Sequence, residues 1–131
     1  MTGAAVVINP GRAMRRAFGL PTGPPEVALH VYRGDSFAAR IRLWADAALT
    51  EPWDLHGAEL AAQVRATPDA ARATDMTVDV ELPNAVLIRM DPDTARGCPP
   101  GRWDLRATWP DGRVATLVAG PVTVLADVTR D

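Results

Sequence analysis

From Val27 onward, apolar and polar residues alternate with a period of two. Val27, Leu29 and Val31 share one face of the first run, with Ala28, His30 and Tyr32 on the other. Phe37, Ala39, Ile41 and Leu43 repeat the pattern, opposite Arg40, Arg42 and Trp44. Leu60, Ala62 and Val64 form a third inward set, and Met76, Val78, Val80 and Leu82 a fourth, against Thr77, Asp79 and Glu81. Val86, Ile88 and Met90 follow, then Trp103, Leu105, Ala107 and Trp109 with Asp104 and Arg106 outward. Successive side chains of a strand point to opposite faces, so each run predicts a half-buried strand.

Turn residues separate the runs: Arg33-Gly34-Asp35-Ser36, Pro83-Asn84, Cys98-Pro99-Pro100-Gly101, and Pro110-Asp111-Gly112, which marks a tight hairpin. About seven short strands at this spacing predict an all-β fold, an antiparallel immunoglobulin-like β-sandwich over residues 27–131. The last run, Arg113 to Val128, contains Gly120-Pro121. Pro has no N–H to donate, so a break or bulge of the ladder is expected there, with Val122, Val124, Ala126 and Val128 resuming the inward set. Inside the domain, Thr67–Ala73 carries a helical hint, Pro68 suiting a first helical turn.

The first 26 residues read differently. Pro10, Gly11, Gly19, Pro21, Gly23, Pro24 and Pro25 punctuate a segment without sustained periodicity. Ala4–Ile8 suits a short strand and Arg12–Phe18 one or two helical turns. The segment has too little apolar surface for a core of its own, so residues 1–26 are expected to be an extended arm that orders against a partner. Val6, Val7, Ile8, Met14, Phe18 and Leu20 are its candidate docking side chains, each contributing roughly 1.5–3 kcal/mol if fully buried, before ordering costs.

Composition narrows the function classes. The chain of 131 residues is 47% hydrophobic and 23% charged, as expected of one globular domain. Its net charge of −2 argues against general nucleic-acid binding. Every basic residue is Arg, consistent with an Arg-rich codon bias and with guanidinium-based contact surfaces. No apolar run approaches the roughly twenty residues of a membrane span. The N-terminus lacks a signal-peptide pattern, and Cys98, alone, forms no internal disulfide; assembly inside a cell is the expectation.

No catalytic constellation emerges. Ser36, the only serine, sits in a Gly-Asp-Ser turn without a nucleophile elbow. Cys98 lies in a loop with neither His30 nor His56 near it in sequence. Asp91 and Asp93 with Thr94 lack the full set of calcium-loop ligands, and capping by Asp93, accepting from N–H groups two or three residues on, is the expected role. No catalytic residue, metal site or cofactor is therefore expected. Trp103 and Trp109 are expected in the core, whereas Trp44, beside Arg40 and Arg42, and Trp53, in a loop, are candidate exposed contacts.

Several stretches together carry a resemblance: the Arg33–Ser36 turn leading into a strand, Trp53-Asp54-Leu55-His56-Gly57 before a strand ending in Val64-Arg65, Gly101-Arg102-Trp103-Asp104-Leu105, Asp111-Gly112, and Gly120-Pro121-Val122-Thr123-Val124 closing on Val128-Thr129-Arg130. Over about residues 27–130 the chain resembles the immunoglobulin-like β-sandwich modules of tailed-bacteriophage virions, such as the N-terminal domain of upper baseplate proteins and small tail or head accessory and decoration proteins. The resemblance implies a non-enzymatic structural component of the virion, assembled in the bacterial host cytoplasm. Its partners would be capsid, tail or baseplate proteins in a symmetric multi-copy assembly, with no nucleic acid and no membrane. Baseplate proteins usually continue into a fibre, and this sequence stops after the sandwich, which favours a compact accessory piece. The alternative is a carbohydrate- or host-surface-binding module, which requires Trp44 or Trp53 to face solvent.

Overall fold

The computed structural model describes residues 2–8, 24–126 and 128. The fold is all-β. Its strands are β1 (Thr2–Val7), β2 (Leu29–Tyr32), β3 (Phe37–Trp44), β4 (Glu59–Arg65), β5 (Thr74–Glu81), β6 (Ala85–Met90), β7 (Gly101–Thr108) and β8 (Val114–Leu125). One short helix, α1 (Pro92–Gly97), joins β6 to β7. The eight strands form a single hydrogen-bonded sheet in the order β1-β3-β6-β5-β4-β7-β8-β2. β5 joins its halves: Thr74–Met76 pairs with β4, and Thr77–Glu81 with β6. Buried side chains from all eight strands meet in one core, including Val6, Val31, Ile41, Val64, Met76, Ile88, Trp103 and Val118.

The alternation placed most inward residues correctly. Leu29, Val31, Ala39, Ile41, Leu43, Ala62, Val64, Met76, Val86, Ile88, Met90, Trp103, Leu105 and Ala107 are buried. Two inward assignments are corrected at the end of β5, where Val80 and Leu82 are exposed. There β5 has left β4 and pairs with β6 alone, so less of the sheet covers its inner side.

The expected antiparallel sheet is mixed, because both edge strands pair in parallel, β1 with β3 and β2 with β8. The expected arm is corrected at its start. Thr2–Val7 is the sheet's edge strand, Val6 lies in the protein's own core, and Ile8 donates its N–H to the Trp44 carbonyl at 2.7 Å. Val6 and Ile8 therefore stabilise this fold, and Val7 is half-buried beside Trp44 on the opposite face. Met14, Phe18 and Leu20 lie outside the described residues.

The ladder does not break at Gly120-Pro121; β8 runs through it. The irregularity lies four residues earlier, where Leu105 pairs with Val118 but Arg106 pairs with Thr116. Leu117 is the extra residue, so Leu117 and Val118 are both buried and the inward parity of β8 switches between them. Val122 is then buried and Val124 half-buried, whereas Ala126 and Val128 are exposed, since β8 ends at Leu125.

Gly120 and Pro121 answer a different need. In the parallel register of Glu26 with Ala119 and Leu29 with Val122, the Val27 carbonyl is the acceptor that an N–H at position 121 would bond. Pro121 has none. The Val27 carbonyl instead lies over Gly120, where a Cβ would stand 2.0 Å from its oxygen, and it accepts the Trp103 indole Nε1–H at 2.8 Å. Glycine makes room for the turned carbonyl and tryptophan supplies the missing donor.

The helical hint at Thr67–Ala73 is a turn, closed by the Ala70 N–H donating to the Thr67 carbonyl at 3.0 Å. The helix forms instead at Pro92–Gly97. The expected cap at Asp93 is corrected to Asp91, which accepts from the Thr94 N–H at 2.7 Å, while Asp93, inside the first turn, pairs with Arg96 at 2.9 Å. Two other carboxylates organise turns in the same way. Asp46 accepts from the Thr50 hydroxyl and from the Thr50 and Glu51 N–H groups, and Asp111 from the Arg113 N–H and guanidinium.

These bonds hold all three carboxyls below their ordinary value of 3.8: the Thr50 hydroxyl foremost for Asp46, the Thr94 N–H for Asp91, the Arg113 N–H for Asp111. A lowered folded-state pKa stabilises above the unfolded value and is lost as pH falls through the folded one. Thermal stability should therefore fall as pH drops from neutrality through the 3.8 of the unfolded carboxyls and below. Asp46→Asn should flatten that decline, and equal slopes for variant and parent in thermal melts would show that Asp46 has no part in it.

Candidate functional site

The side chains with potential for chemistry differ in burial. Cys98 is buried and its thiol is pushed upward by burial, opposite to what a nucleophile needs. Ser36 is exposed at the β2–β3 turn, where Gly34 has φ 85° and the Asp35 N–H donates to the Tyr32 carbonyl. His30 and His56 are exposed, and among the described residues no group of three or more His, Cys, Asp or Glu is arranged to hold a metal ion.

The two candidate exposed tryptophans are corrected to half-buried. Trp53 packs against the core and meets Trp109 edge-on, ring centroids 5.7 Å apart at 69°. The Arg113 guanidinium lies over the other ring, 5.0 Å from the Trp109 centroid. The two rings meet at a steep angle, so they do not form one flat aromatic face. Trp44 lies on the outer side of β3, in register with Val7 of β1 and bridged to Pro52.

On the β1-β3-β6-β5 half, the outer face is crossed by two ion pairs, Arg40 with Glu81 at 3.0 Å and Arg89 with Asp79. Their side chains are substantially exposed, so they add little stability and chiefly make the face polar. On the other half, the outer face of β4 and β7 carries an open groove of about 430 Å³, lined by Gln63, Arg65, Pro68, Arg102, Asp104 and Arg106. The groove is not legible in the sequence. Alternation marks these side chains as outward, but the placing of β4 beside β7, which assembles them, joins segments far apart in the chain.

No protein-family model matches the sequence, and no curated protein matches it. Among solved structures, the fold is similar to the N-terminal domain of phage TP901-1 ORF48, covering 95% of this chain and 98% of that one, with a TM-score of 0.55 and 10% sequence identity. The titin domains z1z2, solved in complex with telethonin, align over 81% of this chain and 47% of that one (TM-score 0.45, 14% identity). Murine CRIg aligns over 75% of this chain and 92% of that one (TM-score 0.43, 11% identity). The phage domain is thus alike in fold over nearly its whole length, and the two weaker matches add nothing to the argument.

Proposed function

We propose that the protein is a non-enzymatic structural component of a tailed-bacteriophage virion, a small β-sandwich accessory protein held on the tail, baseplate or capsid surface by protein–protein contacts. The supporting observation is the end-to-end likeness of fold to a domain of a phage protein. Within this reading, the sheet joined through β5 is an immunoglobulin-like sandwich, its halves the two layers around the common core. The outer faces are then the surfaces offered to neighbouring virion proteins, in several symmetric copies.

The test is quantitative mass spectrometry of purified particles from a phage that encodes the protein. A tail or baseplate position predicts a few rings of copies per particle, and capsid decoration predicts hundreds. Particles without the protein, from lysates that contain it, would overturn the proposal. A carbohydrate-binding role is less well supported, because Trp53 is committed to its stack with Trp109.

A further inference from the structure

Antiparallel pairing places Arg65 of β4 directly opposite Arg102 of β7. Like charges in that relation repel across a sheet and need compensation. Each guanidinium is steadied from the side. Arg65 donates to the Ala70 carbonyl at 2.5 Å and to Gln63 Oε1 at 3.3 Å, and Arg102 pairs with Glu26 at 2.7 Å. Gln63 in turn donates to Asp75 at 2.6 Å. Arg106, two positions beyond Asp104 on the same outer face of β7, is exposed and has no hydrogen-bond or ion-pair partner among the described residues. Ala61 and Ala119 keep the floor of the groove low beside it, and Pro68 forms one wall.

We infer that this groove is a docking site for an extended, acidic segment of a partner protein. Three guanidinium groups line it; Arg102 is already paired with Glu26, so Arg65 and Arg106 against one carboxylate, Asp104, leave the lining net positive on a protein whose net charge is −2. The spacing specifies the segment further. Arg102 and Arg106 are four residues apart on one strand, roughly 13 Å at about 3.3 Å per residue. An extended peptide lying along β7 matches this with carboxylates at its own positions i and i+4, the first sharing the Arg102 guanidinium with Glu26. Asp104 lies midway, so position i+2 must be non-acidic, a hydroxyl or a basic side chain. Guanidinium forks suit such planar carboxylates. The groove's chemistry holds whether or not the protein belongs to a particle.

The test uses the full chain and fluorescein-labelled, end-capped peptides of Thr and Gly with Glu at positions 1 and 5 and Thr at position 3. Fluorescence anisotropy at low salt measures affinity, and amide shifts of β4 and β7 in NMR spectra locate the site. Binding should shift the amides around Gln63 and Asp104, weaken at high salt, and weaken about tenfold when Glu is moved from position 5 to position 3. Arg106→Ala, in an exposed residue without a partner, should keep the parent melting temperature and lose about tenfold in affinity, whereas Arg33→Ala, off the groove, should match the parent. No binding at millimolar peptide, equal binding of the Gln-substituted peptide, or unchanged affinity in Arg106→Ala would overturn the inference. Tighter binding of a single-stranded oligonucleotide or a sulfated glycan at the same residues would overturn it too, in favour of a polyanion site.

Discussion

Trp103→Ala should cost about 3–5 kcal/mol of folding stability, a large part of the 5–15 kcal/mol typical of a domain. Trp103 is the largest of the fully buried side chains, and its loss empties the centre of β7. The more informative variant is Trp103→Phe, which keeps most of the apolar volume and removes the only donor to the Val27 carbonyl among the described residues. It should cost about 1–3 kcal/mol, the range for a buried polar group left unpaired. If the indole N–H replaces the one Pro121 lacks, Pro121→Ala should recover part of that loss in the Trp103→Phe background. Pro121 is exposed, so the alanine meets no packing obstacle. Urea unfolding of the four proteins gives the coupling, and strictly additive effects would refute the compensation.

Gly120→Ala should destabilise by about 1–3 kcal/mol or more, the cost of forcing atoms into a packed site. The added Cβ would stand 2.0 Å from the Val27 carbonyl oxygen and 2.7 Å from its carbon. Both are backbone atoms, so no side-chain rotation relieves the clash. The segment leading into β2 must lift from β8, and hydrogen exchange should accelerate at the β2 amides before those of β4 and β7. Gly97→Ala is the internal control: nothing lies within 4 Å of its would-be Cβ, so it should be neutral or slightly stabilising. Equal melting temperatures for the Gly120 and Gly97 variants would mean that the Val27 strap contributes nothing.

The candidate contact surface was legible only in pieces. The outward positions of Arg65, Asp104 and Arg106 follow from alternation, yet their convergence in one groove does not, because β4 and β7 are about forty residues apart in the chain. Burial of Trp53 was illegible for the same reason: its partner Trp109 is distant in sequence. For Val6 and Ile8, an apolar run before a Pro- and Gly-rich segment reads equally well as tether or edge strand, and only the unpaired side of β3 decides between them.

What the sequence by itself determined is local. Period-two alternation set which side chains face the core from β2, β3, β4, β6 and β7, and glycines at Gly34 and Gly112, with φ of 85° and 89°, set where the chain turns. Those choices depend on each residue's own chirality and polarity, so they can be read without knowing a strand's partner. The tertiary structure alone decided the parallel edges, the sharing of β5, the parity switch at Leu117, and the exchange of a Pro121 N–H for the Trp103 indole. These features are set by which backbone donors and acceptors remain unpaired after collapse, a balance among distant segments. Gly120-Pro121 shows both levels at once: its chemistry marks an irregular position, and only the Val27 carbonyl lying across it shows what the irregularity accommodates.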